Sequence, residues 1–138
     1  METSAPGIYA IGECAEHNSA VYGLVEPAYE QARVAARALA RLDANYNGTV
    51  LATNLKVSGV PVFSAGDFEG AGAEHIIWRD GAYGHYRKFV VRNNQLAGVV
   101  LAGDTTDALW YRDLIRSRAP IGAFRSTLAF GPAYAEAA

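Results

Sequence analysis

Along the chain, apolar positions recur in two different rhythms, and the change between them divides the sequence. Ile8-Tyr9-Ala10-Ile11 is a short apolar run that stops at Gly12 and gives way to the polar stretch Glu13 to Asn18. Such a run reads as a buried strand entering a loop. From Pro27 to Leu42 the rhythm is helical: Tyr29, Ala32, Ala36 and Leu39 share one face, and proline suits a first helical turn. Arg33, Arg37 and Arg41 fall every fourth residue on another face, which reads as a solvated surface helped by the helix dipole at its C-terminal end.

Beyond the polar turn Asn45 to Gly48 the rhythm becomes that of strands. The expected strands are Thr53–Val57, Val62–Asp67, Glu74–Arg79, His85–Arg92 and Gln95–Ala102. Asn93-Asn94 suits a tight hairpin, because asparagine tolerates positive φ. The simplest arrangement is an antiparallel meander, with Trp78, Phe89 and Val91 on a face that a helix must cover. That helix is expected at Thr106–Arg116, capped by Asp104 or Thr105, with Tyr111 paired to Ile115, Trp110 to Leu114, and Pro120 as the stop. Phe124, Leu128 and Phe130 can dock the tail in an unassigned conformation, and Ala135 to Ala138 should fray. The fold class is α+β, a central antiparallel sheet with flanking helices, preceded by a separate strand and helix.

Composition narrows the function. With 138 residues, 51% of them hydrophobic, the chain can bury one main core, and a net charge of −2 without like-charge runs favours neither nucleic acid nor an anionic membrane as partner. No stretch is long and apolar enough to span a bilayer, and the start lacks the features of a secretion signal. Cys14 is the single cysteine, which excludes an intrachain disulfide and a four-cysteine zinc site and fits a reducing, cytoplasmic setting. Cys14 and His17 lack further ligands at useful spacing, so no metal site is expected. Asn47-Gly48-Thr49 and Gly70-Ala71-Gly72-Ala73-Glu74-His75 both read as turns, the latter lacking the third glycine and the strand-turn-helix setting of a dinucleotide fingerprint.

The segment Thr3 to Glu16 carries the chemistry. A strand ending in Gly12 allows close backbone approach to a ligand, and the carboxylate of Glu13 immediately after it can accept a hydrogen bond from a ribose or ribitol hydroxyl. In full, Thr3-Ser4-Ala5-Pro6-Gly7-Ile8-Tyr9-Ala10-Ile11-Gly12-Glu13-Cys14-Ala15-Glu16 resembles the second FAD-binding motif of the two-dinucleotide-domain flavoprotein reductases, T-x-x-P-x-I-Y-A-x-G-D-x-A. Glu13 replaces the usual aspartate, and G-E-C-A-E is similar to the NAD(P)H nitrite reductase large-subunit branch of that family. Val21 to Ala32 resembles the helix that closes over the flavin pyrimidine edge in these proteins. Leu55 to Val60, Phe63 to Asp67 and Val100 to Thr105 are similar to the small C-terminal domain shared with NADH-rubredoxin reductases.

The resemblance implies a C-terminal part of the flavoprotein region: residues 1–45 as the C-terminal edge of an FAD-binding domain, residues 46–138 as the small domain. It implies that Glu13 bonds the FAD ribitol, that Gly12 admits the backbone close to the cofactor, and that amides near Pro27, Ala28 and Tyr29 face the flavin carbonyl edge. The first FAD fingerprint, the NAD(P)H domain, siroheme and iron-sulfur centres would lie outside this chain, as partners of it. FAD is then not expected to be held by this piece alone, nor is catalysis. The resemblance leaves open a homodimer or an electron-acceptor domain as further partners. An NADH-rubredoxin reductase, a nitrate-reductase electron-transfer flavoprotein or a standalone interaction module are the alternative readings.

Overall fold

The computed structural model describes residues 1–57 and 59–135, the side chains of Lys56 and Val57 excepted. It divides into two compact units, Met1–Thr49 and Val50–Ala138.

The first unit holds a two-stranded ribbon and one helix. β1 (Glu16–His17) and β2 (Ala20–Val21) pair antiparallel through Asn18 and Ser19, both at positive φ, the backbone that a two-residue hairpin turn requires. Helix α1 runs Val25–Leu39, beginning two residues before and ending three residues before the expected limits. Pro27 is therefore its third residue, still inside the turn whose amides need no helical partner. The helix stops because Arg41 adopts a left-handed conformation (φ 56°), letting Leu42 N–H reach Arg37 O and Arg41 N–H reach Ala38 O, a Schellman closure. Arg33, Arg37 and Arg41 are exposed, as their spacing suggests, and Arg37 Nε donates to Asp43 O at 2.9 Å.

Two expectations in this unit fail. Ile8 to Ile11 forms no strand and none of its residues is buried; Tyr9 makes a single antiparallel bridge to Glu2, flanked by Thr3 N–H to Ile8 O and Ala10 N–H to Met1 O, and a pairing this short is no ladder. The buried face of α1 is also not the predicted one: Pro27, Gln31 and Ala35 are buried, while Tyr29 and Leu39 are each 66% exposed. The helix carries two stripes of small or apolar residues, and the one holding Gln31 is covered because that side chain bonds the backbone at Gly12.

The second unit is a five-stranded antiparallel sheet: β3 (Ala52–Val57), β4 (Val60–Gly66), β5 (Glu74–Asp80), β6 (His85–Arg92) and β7 (Gln95–Ala102). All five expected strands are present, two of them to the residue. The order is β3-β4-β7-β6-β5, which corrects the meander: β4 pairs with β7 instead of β5. The reason lies in burial. β6 and β7 carry the most buried positions and lie inside the sheet, whereas β5 has no fully buried residue and lies at an edge. Gly98 makes this order possible, since a Cβ there would overlap the Asp67 carbonyl where the chain leaves β4.

Helix α2 (Ala108–Ser117) covers one face of the sheet. Tyr111 and Ile115 point into a core with Phe63, Phe89, Val91, Leu96, Val99 and Leu101, and Ile121 and Leu128 from the tail complete it. Trp78, Phe89 and Val91 do share this face, since Trp78 pairs with Arg87 and their alternation places Arg87, Phe89 and Val91 together. The tail forms 3-10 turns at Gly122–Phe130 and Pro132–Tyr134. Of the tail expected to fray, Ala135 N–H bonds Pro132 O, and residues 136–138 lie outside the described residues.

Candidate functional site

The predicted ligand-facing residues gather around one turn. After the extended Ile11, Gly12–Cys14 forms a single 3-10 turn, entered by Gly12 at φ 79°. A side chain would be strained in that backbone, so the glycine is required by conformation, and a Cβ added there would also come within 3.9 Å of Ala28 Cβ. Gly12 N–H donates to Gln31 Oε1 at 2.6 Å. The turn is thus seated on α1 by a bond whose donor is one residue before Glu13 and whose acceptor is about one helical turn after Ala28.

Glu13 is exposed, and its carboxylate rests against Gly23, where a Cβ would lie 3.4 Å from Glu13 Oε1. Gly23 stands two residues before α1, so the carboxylate lies near the helix N-terminus. That terminus has no side-chain cap. The amides without a helical acceptor are those of Leu24, Val25 and Glu26; Pro27 has none, and Ala28 and Tyr29 lie where the intrahelical ladder has begun. Of the three helix residues singled out by sequence, Pro27 is buried, Ala28 half-buried beside Gly12, and Tyr29 exposed. Gly12, Glu13, Pro27 and Ala28 are brought together; Tyr29 points away from the face that seats Gly12.

Chemically, the turn offers a carboxylate acceptor beside uncapped, positively polarised amides, a pairing suited to a hydroxylated chain leading to a group that gains negative charge. It offers no glycine-rich strand-turn-helix for a pyrophosphate. The residues present therefore fit one edge of a flavin nucleotide, the ribitol and ring side, and not its adenosine end.

Cys14 is exposed, its thiol directed to Ile11 O at 3.3 Å, while the His17 ring packs edge-on to Tyr46 at 4.8 Å. Among the described residues no group of three His, Cys, Asp or Glu side chains could hold a metal, and no helix is long and apolar enough to cross a membrane.

Sequence reading missed Gln31, which is fully buried with Nε2 lacking any partner among the described residues. The available signal was a large polar residue spaced four from Pro27 and four from Ala35, on the stripe of small side chains. It also missed a buried ionic cluster in the second unit. Arg87 donates to Asp104 Oδ2 at 2.6 Å and to Ala129 O at 2.7 Å, lies 3.5 Å from Asp107, and stacks 5.8 Å from the Trp78 ring. An arginine on the same alternation as Phe89 and Val91 was its signal. Asp104 does not cap α2; it accepts from Thr106 N–H and Oγ1–H, and Asp107 takes the cap position. Those bonds to Thr106, with Arg87 adding to them, hold the Asp104 carboxyl down at about 2. Burial pushes the Tyr111 phenol up to about 12. For Arg87, burial opposes the charge, but Tyr111 and Asp104 outweigh it and the pKa rises.

Comparison with known proteins matches residues 52–119 to the family described as the rubredoxin NAD+ reductase C-terminal domain. Over 123 residues the chain is 48% identical to nitrite reductase [NAD(P)H] of Bacillus subtilis (strain 168), covering 88% of this chain and 15% of that protein. It is 44% identical over 109 residues to the assimilatory nitrate reductase electron transfer subunit of the same organism, covering 78% of this chain and 14% of the relative. The crystal structure of NADH:rubredoxin oxidoreductase from Clostridium acetobutylicum superposes with a TM-score of 0.66 at 28% identity, over 88% of this chain and 32% of that one. The chain thus spans about one seventh of the length of the two curated relatives.

Proposed function

We propose that this chain, whose residues 52–119 match the rubredoxin NAD+ reductase C-terminal domain, works inside an NAD(P)H-dependent nitrite reductase. In this reading residues 1–45 supply one edge of an FAD site, residues 46–138 are the small C-terminal domain, and the remaining FAD and NAD(P)H domains are its partners. The setting is a reducing cytoplasm, which the single exposed thiol of Cys14 accommodates.

The observation that carries the reading is the seating of the Gly12–Glu13 turn on α1, which puts a carboxylate and uncapped helix amides at one place. Gly12, Glu13 and the first amides of α1 would hold one edge of FAD, which would supply hydride acceptance from NAD(P)H and onward electron transfer. Glu13 would accept a ribitol hydroxyl, fixing the cofactor's depth. Gly12 would keep the backbone clear of it. The free Val25 and Glu26 amides at the start of the Pro27-Ala28-Tyr29 turn would face the ring carbonyls and favour its reduced, more negative form. Siroheme and iron-sulfur centres would belong to other parts of the polypeptide.

The 44% identity to an assimilatory nitrate reductase electron transfer subunit supports a second reading, the same flavin edge serving a different acceptor. Both readings are tested by Glu13→Ala in the complete flavoprotein: FAD retention should fall, and unchanged retention would leave the turn a structural strand end. Assay of NAD(P)H oxidation with nitrite as acceptor then separates the two.

A further inference from the structure

We propose that Gln31 is a positioning residue for the flavin edge, holding Glu13 in place through the Gly12 amide; this rests on the FAD reading above. Three observations carry it. Gln31 Oε1 accepts Gly12 N–H at 2.6 Å, a long-range link of nineteen positions that joins the turn to the helix. The side chain is 0% exposed, so its rotamer is set by packing and the oxygen has no competing water. Because the facing group is a backbone donor, the atom toward Gly12 must be the amide oxygen, which turns Nε2 into the protein, where no described residue accepts from it.

A buried donor without a partner is costly. An apolar side chain of the same length would avoid that cost and fill the same space. The glutamine is therefore explained by its oxygen: without an acceptor at this point, the left-handed Gly12 turn would lose its bond to α1, and Glu13 the support that places it against Gly23. Gln31 touches neither cofactor nor substrate in this scheme. It acts only through the next turn of chain.

The test is a double-mutant cycle in the complete flavoprotein, reading FAD dissociation by flavin fluorescence. Gln31→Met should weaken FAD by roughly tenfold in the wild-type background and by less than about threefold when Glu13→Ala is already present, since a residue acting through Glu13 has nothing left to position. Gln31→Glu, which keeps an acceptor oxygen, should stay within about threefold of wild type. If Glu13→Ala alone leaves FAD retention unchanged, the cofactor reading falls and the inference falls with it. If Glu13→Ala weakens FAD but Gln31→Met adds its full loss on top, the cofactor reading stands and Gln31 is a core residue only. Should Gln31→Met fail to fold, Gln31→Leu takes its place in the cycle: a loss that shrinks below about threefold in the Glu13→Ala background supports the acceptor role, and a loss that adds in full overturns it.

Discussion

Arg87 Nη2 lies 2.6 Å from Asp104 Oδ2, joining the centre of β6 to the turn that precedes α2. The same guanidinium reaches Ala129 O, and the Tyr111 hydroxyl donates to Leu128 O at 2.7 Å, so sheet, helix and C-terminal 3-10 turn are held at one point. Arg87 is the buried cation, and removing it leaves Ala129 O and the half-buried Asp104 and Asp107 without their partner. Arg87→Met should therefore lower the stability of the second unit by about 3 kcal/mol, read by urea denaturation. A loss within about 0.5 kcal/mol, the range of ordinary surface substitutions, would show that the cluster contributes no net stability.

The cluster also predicts how stability changes with pH. Asp104 has a folded pKa of about 2 against an ordinary 3.8, so its contribution is present above 3.8 and is lost as pH falls toward 2. For a side chain 28% exposed the shift corresponds to roughly 2 kcal/mol. At the alkaline end the sign reverses. Tyr111 has its folded pKa raised to about 12 from 10, so its contribution is intact below 10 and disappears as pH climbs through 12. Asp104→Asn should flatten the acid limb of a stability profile and Tyr111→Phe the alkaline limb. An acid limb unchanged in Asp104→Asn would assign it to other carboxylates.

How much of this was legible in the sequence follows from how local each cause is. β6 and β7 were readable to the residue because their alternation and the Asn93-Asn94 turn are decided by neighbours in the chain. The pairing of β4 with β7 was not, since strand order depends on which strands most need covering, a comparison across the whole unit. The same division applies to the site. Gly12 and Glu13 stand together in a recognisable run, but the choice of the Gln31 stripe over the Tyr29 stripe as the buried face of α1 rests on one hydrogen bond between positions nineteen apart. Arg87 was hidden because an arginine in a strand ordinarily reads as a solvent-facing position.

Gly98 tests the sheet order directly. It pairs with Gly66 on one side and Val90 on the other, and an added Cβ would overlap the Asp67 carbonyl carbon and oxygen, which are backbone and cannot swing away. Gly98→Ala should cost about 2 kcal/mol or more through overpacking, measured by thermal denaturation. Gly81 is the internal control, having open space at its Cβ position and no positive φ, and Gly81→Ala should be nearly neutral. Equal effects of the two would contradict the close approach of β7 to the end of β4.

By itself this chain should bind FAD only weakly. In the proposed reading its contribution to a flavin site is one exposed carboxylate on a turn and a few uncapped amides at the start of α1. A hydrogen bond to a charged group is worth roughly 1.5 to 3 kcal/mol, and neutral ones about 1 each. Association costs at least about 4 kcal/mol in lost translation and rotation before any ordering of the ligand. The gain and the cost nearly cancel, and no glycine-rich turn adds the pyrophosphate contacts that ordinarily anchor a dinucleotide. Titration of FAD into the isolated chain should accordingly give a Kd weaker than about 100 µM, since even that value requires a surplus of more than 5 kcal/mol. Flavin fluorescence quenching or calorimetry reads it. Submicromolar binding would mean that this chain carries more of the cofactor site than the Glu13 turn and the α1 N-terminus, and the division of labour proposed for it would have to be redrawn.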